Sequence, residues 1–201
     1  SFDVVCLAVP MSAVEDAVEQ YAPLATEAVF DVSGVMADPL AAMDAHGPDL
    51  ERASFHPLFA PPRVPGNVAV VTAEDGPRLQ AIREAMADAG NTVFETTPAE
   101  HDAAMETVQA SAHTAVLAYA LAADSVREEF ATPVSAQLEE IATTVTEGEP
   151  EVYAEIQSTF DGAESVADAA REIAEADDAQ FADLYTTAKE NLSVDGRERH
   201  Q

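Results

Sequence analysis

The 201 residues carry 38 acidic and 9 basic side chains, a formal charge of −29 and a sequence pI of about 4.1. A nucleic-acid footprint needs clustered Lys and Arg, and a surface of this sign repels polyanions and anionic lipid, so nucleic acid and membrane are excluded as partners. Disorder is excluded too, because 47% of the residues are hydrophobic and runs such as Val4-Val5-Cys6-Leu7-Ala8-Val9 supply material for a core.

Strands are predicted at Asp3 to Val9, Ala28 to Val32, Arg52 to His56, Asn67 to Thr72 and Thr92 to Thr96. Between them, Ser12 to Tyr21 and Pro77 to Ala89 place apolar residues at helical spacing, the second closed by Gly90 at a C-cap. The alternation predicts a parallel α/β sheet, its first strand buried on both faces. His46 precedes Gly47-Pro48 in an expected loop and His200 lies in a polar tail, so both are read as surface residues. After Pro98 the strand signals stop. Ala-rich and Glu-rich periodic segments follow, with helix starts at Thr132-Pro133 and Glu149-Pro150, where Pro suits the first turn. The expectation is an α/β domain over 1–98, followed by an all-helical domain over 99–201.

Cys6 is the one cysteine and no segment resembles a signal peptide, so a reducing cytoplasm is expected. The longest apolar stretch, Ala115 to Ala123, is too short to cross a bilayer. Eight Arg stand beside one Lys, Lys189. Acid-rich, Lys-poor composition suits molar salt, where a Debye length of about 3 Å mutes self-repulsion, so a halophilic cytoplasm is expected. No Asp-x-Asp-x-Asp-Gly loop supports a metal site in the acidic run from Asp161 to Asn191.

In the first helix after Pro98, Asp102, Gln109 and His113 fall on one polar stripe at helical spacing, with His101 about 120° away. One reading puts this stripe in a pocket; the other turns it to water and buries Met105, Val108, Val116 and Leu117. The segment Ala112 to Ala123 is apolar almost all round and belongs in a core or a subunit interface.

Several short motifs occur in a telling order. A strand ends in Val9-Pro10. Asp31-Val32-Ser33-Gly34-Val35-Met36 begins an Asp-led turn, and Ser54-Phe55-His56-Pro57 holds a His-Pro pair. Glu100-His101-Asp102 then opens a helix, with His113 further along it, and Pro150-Glu151-Val152-Tyr153-Ala154-Glu155-Ile156-Gln157 forms another. Together, over about residues 3 to 160, they resemble the prephenate dehydrogenase family. The resemblance implies an incomplete doubly wound, Rossmann-like sheet followed by a helical dimerisation domain. It implies oxidative decarboxylation of prephenate or arogenate on the route to tyrosine, with NAD or NADP as hydride acceptor.

The family likeness makes His56 the hydrogen-bond acceptor for the ring hydroxyl, and an imidazole suits this because its ordinary pKa leaves a neutral fraction near pH 7. His113 is placed in or beside the substrate pocket with Gln109, and Val9 and Pro10 beside the cofactor. The family's Ser and Lys, three and five residues after the Asp, are replaced by Gly34 and Met36, so Ser33 is expected to supply the hydroxyl. The usual Arg before the Pro-x-x-Tyr segment is also missing. Arg63, in the loop after His56, is the expected substrate-carboxylate ligand, with Arg127 the other donor considered. No Gly-x-Gly-x-x-Gly occurs. That turn normally follows a first strand, so about 50 upstream residues are expected to be absent from this chain, leaving it alone inactive and poor at binding NAD. The competing reading, from another class, is a catalytically inactive, dimeric binding or regulatory module derived from this family.

Overall fold

The apolar runs of the first half build one five-stranded sheet whose order across is β1 (Phe2–Leu7), β2 (Ala25–Asp31), β3 (Glu51–Pro57), β4 (Asn67–Glu74) and β5 (Thr92–Glu95). This computed structural model describes residues 1–193; His200 lies outside the described residues. Helices α1 (Val14–Tyr21), α2 (Ala37–His46) and α3 (Pro77–Asp88) connect the strands. The first three strands are parallel, with Leu7 opposite Asp31 and Asp31 opposite Ser54.

The expectation of an all-parallel sheet is corrected at β4, which runs antiparallel to β3 with His56 opposite Ala69. Its connection, residues 58–66, is shorter than the dozen or so residues a parallel crossover needs. Strand β5 is parallel to β4. The reversal also sorts the helices. Parallel crossovers are right-handed as a rule and these step the same way across the sheet, so inverting the strand direction sends the helix to the other face. Accordingly α1 and α2 bury Ala17, Val18, Leu40 and Met43 on one face with Val29 and Val71, while α3 buries Leu79 on the other with Phe30, Phe55 and Val70.

Two other expectations change. Strand β1 is the sheet's edge, not a strand buried on both faces: Phe2 and Cys6 are exposed and Val4 and Val5 half-buried. His46 is the last residue of α2 instead of a loop residue, though it is exposed as expected. That helix hides behind Asp38-Pro39, which reads as a turn, yet Pro is tolerated in a first turn where its missing N–H has no partner anyway. Gly90 takes the left-handed φ of 92° expected of a C-cap glycine.

The second half is helical: α4 (Pro98–Met105), a π turn (Glu106–Ser111), α5 (Ala112–Ala122), α6 (Pro133–Thr146), α7 (Pro150–Thr159), α8 (Gly162–Glu175) and α9 (Asp178–Ser193). Thr132 starts α6 through a reciprocal cap with Ser135. A third apolar seam joins the two halves. There Val14 and Val35 from the sheet side meet Met105, Ala110, Ile156 and Phe160. Among the described residues no helix is long and apolar enough to cross a membrane.

Candidate active site

Strand β3 ends at His56-Pro57, and the proline ring holds His56 in extended backbone. Side chains alternate along a strand, so His56 shares the α1–α2 face with Ser54, while Ala53 and Phe55 pack against α3. Beside it, β2 ends at Asp31 and the chain turns through Ser33. The buried Ser33 hydroxyl donates to Asp31 Oδ2 and lies 3.0 Å from the Val35 carbonyl, while the Ser33 N–H donates to the same carboxylate at 2.9 Å. Burial pushes the Asp31 carboxyl up, against these hydrogen bonds, and its Oδ1 has no hydrogen-bond partner among the described residues.

The helical half supplies the opposite wall. Thr97 caps α4 by accepting from the Glu100 N–H, which sets His101 facing the sheet. His101 is 3% exposed, its Nε2 lies 2.9 Å from His56 Nδ1, and its Nδ1 lies 2.7 Å from Asp102 Oδ1. This overturns the helical wheel drawn from sequence, which set His101 apart from His113. A π turn inserts about one residue and rotates everything beyond it by about 100°, so His101 comes within about 20° of His113 and Asp102 swings about 80° away. Asp102 therefore leaves the predicted stripe and serves as His101's partner.

The π turn is held from three sides. Gln157 of α7 donates from Nε2 to the Ala110 carbonyl at 3.0 Å and accepts from Thr114 at 2.8 Å. The Ser111 hydroxyl lies 2.8 Å from the Glu106 carbonyl and 3.1 Å from that of Gly162. A Cβ on Gly162 would strike Glu106 O and lie 2.6 Å from Ser111 N, the two atoms that close the π turn.

Between the walls is a cleft of about 1130 Å³, and Val9, Pro10, Ser33, His56, Gln109 and His113 all line it. Gln109 Nε2 is 3.5 Å from His56 Nε2, and its Oε1 is buried without a partner among the described residues. The His113 ring packs edge-on against Tyr153 at 4.8 Å, with Nδ1 buried and without a partner among the described residues. The water-facing reading of the stripe thus fails for Gln109 and His113; moreover Val108, which it would bury, is 55% exposed.

Arg63 does not join them. It is exposed at the end of a 3-10 turn whose flanking residues Ala60 and Val64 line the cleft while it does not. Arg127 is also outside the lining, stacked over Phe130 at 4.9 Å. Among the described residues the charged lining groups are Glu151 and Glu155, the latter half-buried and accepting from the Ser12 N–H and hydroxyl. Met36, at the position of the family's lysine, is fully buried against α2. Sequence reasoning missed His101, Tyr153 and Glu155. The first sat in the quoted Glu-His-Asp motif and the others in the α7 motif, but without the π turn their facing was not legible.

Burial, and secondarily the charge His101 carries when protonated, pushes His56 down to about 4. Burial likewise lowers His113. An unfolded His takes a proton near pH 6.5 that folded His56 refuses until about pH 4, so this group costs no stability above pH 6.5 and progressively more below it. Wild type is expected to lose up to about 3 kcal/mol more than His56→Gln as pH falls from about 6.5 to about 4. Urea unfolding of both proteins across that window checks this; parallel curves would remove the buried neutral imidazole.

No family model matches the chain. It is 30% identical, over 98% of its own length and 72% of the other's, to the 4-amino-4-deoxyprephenate dehydrogenase of Streptomyces pristinaespiralis. Its fold is like that of Aquifex aeolicus prephenate dehydrogenase in complex with hydroxyphenyl propionate and NAD+, with TM-score 0.64, 14% identity and coverage of 96% and 77% of the two chains. Synechocystis arogenate dehydrogenase is also similar in fold, with TM-score 0.58, 15% identity and coverage of 96% and 73%. The sequence match, with the fold and the cleft, shows that the chain belongs to the prephenate dehydrogenase family.

Proposed function

We propose that the cleft oxidises and decarboxylates a ring of the prephenate class, with NAD or NADP as hydride acceptor. The observation that carries this reading is His56, a buried imidazole held uncharged at a strand's C-terminal end with Nε2 toward the cleft. Ligands of open α/β sheets lie outside the carboxyl ends of the strands. Val9, Pro10 and Val32 form an apolar wall in the same cleft, which fits the nicotinamide end of the cofactor. No Gly-rich turn in this sequence fits its pyrophosphate. When bound, the cofactor takes the hydride leaving ring carbon C4.

His56 Nε2 accepts a hydrogen bond from the C4 hydroxyl and so stabilises the positive charge that grows there as the hydride departs. The ring C–carboxylate bond then breaks, its electron pair enters the ring and CO2 leaves, so aromaticity drives the step and no covalent nucleophile is needed. Ser33 already directs its hydrogen to Asp31 or Val35, which leaves its lone pairs for the substrate. Gln109 and His113 orient the ring from the helical side.

A C4-amino ring is a second reading with specific support. The cleft gathers acceptors, with His56 Nε2 and Ser33 Oγ beside two carboxylates and no Arg or Lys among its described lining residues. An amine has two N–H groups to satisfy where a hydroxyl has one. The Streptomyces relative is named for an amino-bearing substrate.

The test is reduced-nicotinamide formation by the natural gene product in molar KCl with prephenate, arogenate and 4-amino-4-deoxyprephenate in turn. We expect one ring to release CO2 in step with cofactor reduction. Absence of substrate-dependent reduction with all three would overturn the reading in favour of a binding module. The division near residue 98 and a cytoplasmic homodimer through the helical half belong to the same proposal. In support, α5 buries none of its residues and leaves Leu121 88% exposed, with Phe130 and Tyr185 also exposed nearby in sequence or in α9.

A further inference from the structure

We infer that Asp102 and His101 are positioning residues that decide which ring nitrogen of His56 is bare, and that the π turn exists to align them with the cleft. Their consequence for catalysis rests on the reaction proposed above; their effect on the His56 ring does not.

The hydrogen positions are fixed in sequence from the solvent side inward. Asp102 is a carboxylate whose side chain is 30% exposed, and an ionised carboxylate can only accept. His101 Nδ1, at 2.7 Å, must therefore carry the hydrogen and donate it. In a neutral imidazole this leaves Nε2 bare, and Nε2 is the atom 2.9 Å from His56 Nδ1. His56 Nδ1 then donates, and its own Nε2 is left bare at the cleft, 3.5 Å from the Gln109 amide nitrogen. Three side chains thus hold one tautomer by the rule that each link has one donor. Both imidazoles are less than 8% exposed, so water does not compete for the links.

The arrangement depends on the π turn. In an uninterrupted α-helix His101 and His113 would diverge by about 120°, and one helix could not offer both to the cleft. Inserting the turn lets α4 present His101 to the back of His56 while α5 presents His113 to the front. Single π turns inside α-helices are found frequently at functional sites.

The test reads the tautomer directly, by ring nitrogen NMR shifts of the natural gene product labelled at histidine, alongside kcat and KM. Wild type is expected to show His56 protonated at Nδ1 and bare at Nε2. Asp102→Asn replaces the acceptor with an amide that can donate to His101 Nδ1, which reverses both links and protonates His56 Nε2. Its kcat should fall by about 10²-fold or more, with the cofactor Kd within about threefold of wild type. Adding His101→Gln to Asp102→Asn, so that the glutamine carbonyl oxygen can accept from His56 Nδ1, should restore the wild-type tautomer and part of the lost kcat. If Asp102→Asn proves unstable, His101→Leu serves instead and should give a mixture of the two His56 tautomers. A wild-type His56 protonated at Nε2, or an Asp102→Asn protein with unchanged tautomer and kcat, would overturn the inference. Should the ring shifts behave as expected while no cyclohexadiene is oxidised, the positioning role stands and the proposed reaction fails.

Discussion

His56→Asn is expected to lower kcat by roughly 10³-fold with the cofactor Kd unchanged, the loss that accompanies removal of a positioned proton-accepting group. The asparagine is smaller and polar, so it keeps the end of β3 wettable while withdrawing the nitrogen that faces Gln109. The remaining lining, including Ser33 and His113, still binds and orients the ring, so KM should move far less than kcat. Steady-state kinetics with the best of the three rings, paired with cofactor titration, give the answer. A drop of less than about fivefold would take the acceptor role from His56 and leave His113 as the next imidazole in the cleft.

Gly162→Ala is the second large effect, and it acts from outside the cleft. The added methyl would collide with Glu106 O and the Ser111 backbone nitrogen, which are main-chain atoms that no rotamer change can move. Either α8 backs away or the π turn reverts to α, and both disturb the seam around Ala110 and Phe160. Overpacking of this kind costs about 1–3 kcal/mol, so a clear fall in Tm is expected. If the turn reverts, Gln109 and His113 rotate by about 100° relative to His101, and kcat should fall at least about tenfold. An unchanged Tm and kcat would mean that the turn does not set the cleft's geometry. A lowered Tm with full kcat would leave Gly162 a packing residue alone.

These two sites were not equally legible. His56 stood out because the His-Pro pair closes an apolar strand, and both strand ends and X-Pro steps can be read locally. His101 did not, although it lies in a quoted motif, because its direction depends on how the turn beyond it is wound. Nothing in Glu106-Thr107-Val108-Gln109-Ala110-Ser111 announces a π turn; it is imposed by Gly162 and Gln157, which reach it from distant helices. Arg63 was chosen for its loop's departure from the correct strand end, yet that loop turns it outside the lining. Likewise the existence of β4 followed from local pattern, but its direction followed from a connection too short to cross back.

By itself the amino-acid sequence determined the α/β-then-helical order, the strong acidity, the five strands and the identity of the groups available for chemistry, because periodicity, charge and side-chain type are properties of neighbours along the chain. Only the tertiary structure decided which way β4 runs, that His101 backs His56, and that no Arg among the described residues lines the cleft. Each of these depends on the angle between elements, and that angle is set by contacts between residues far apart in the chain.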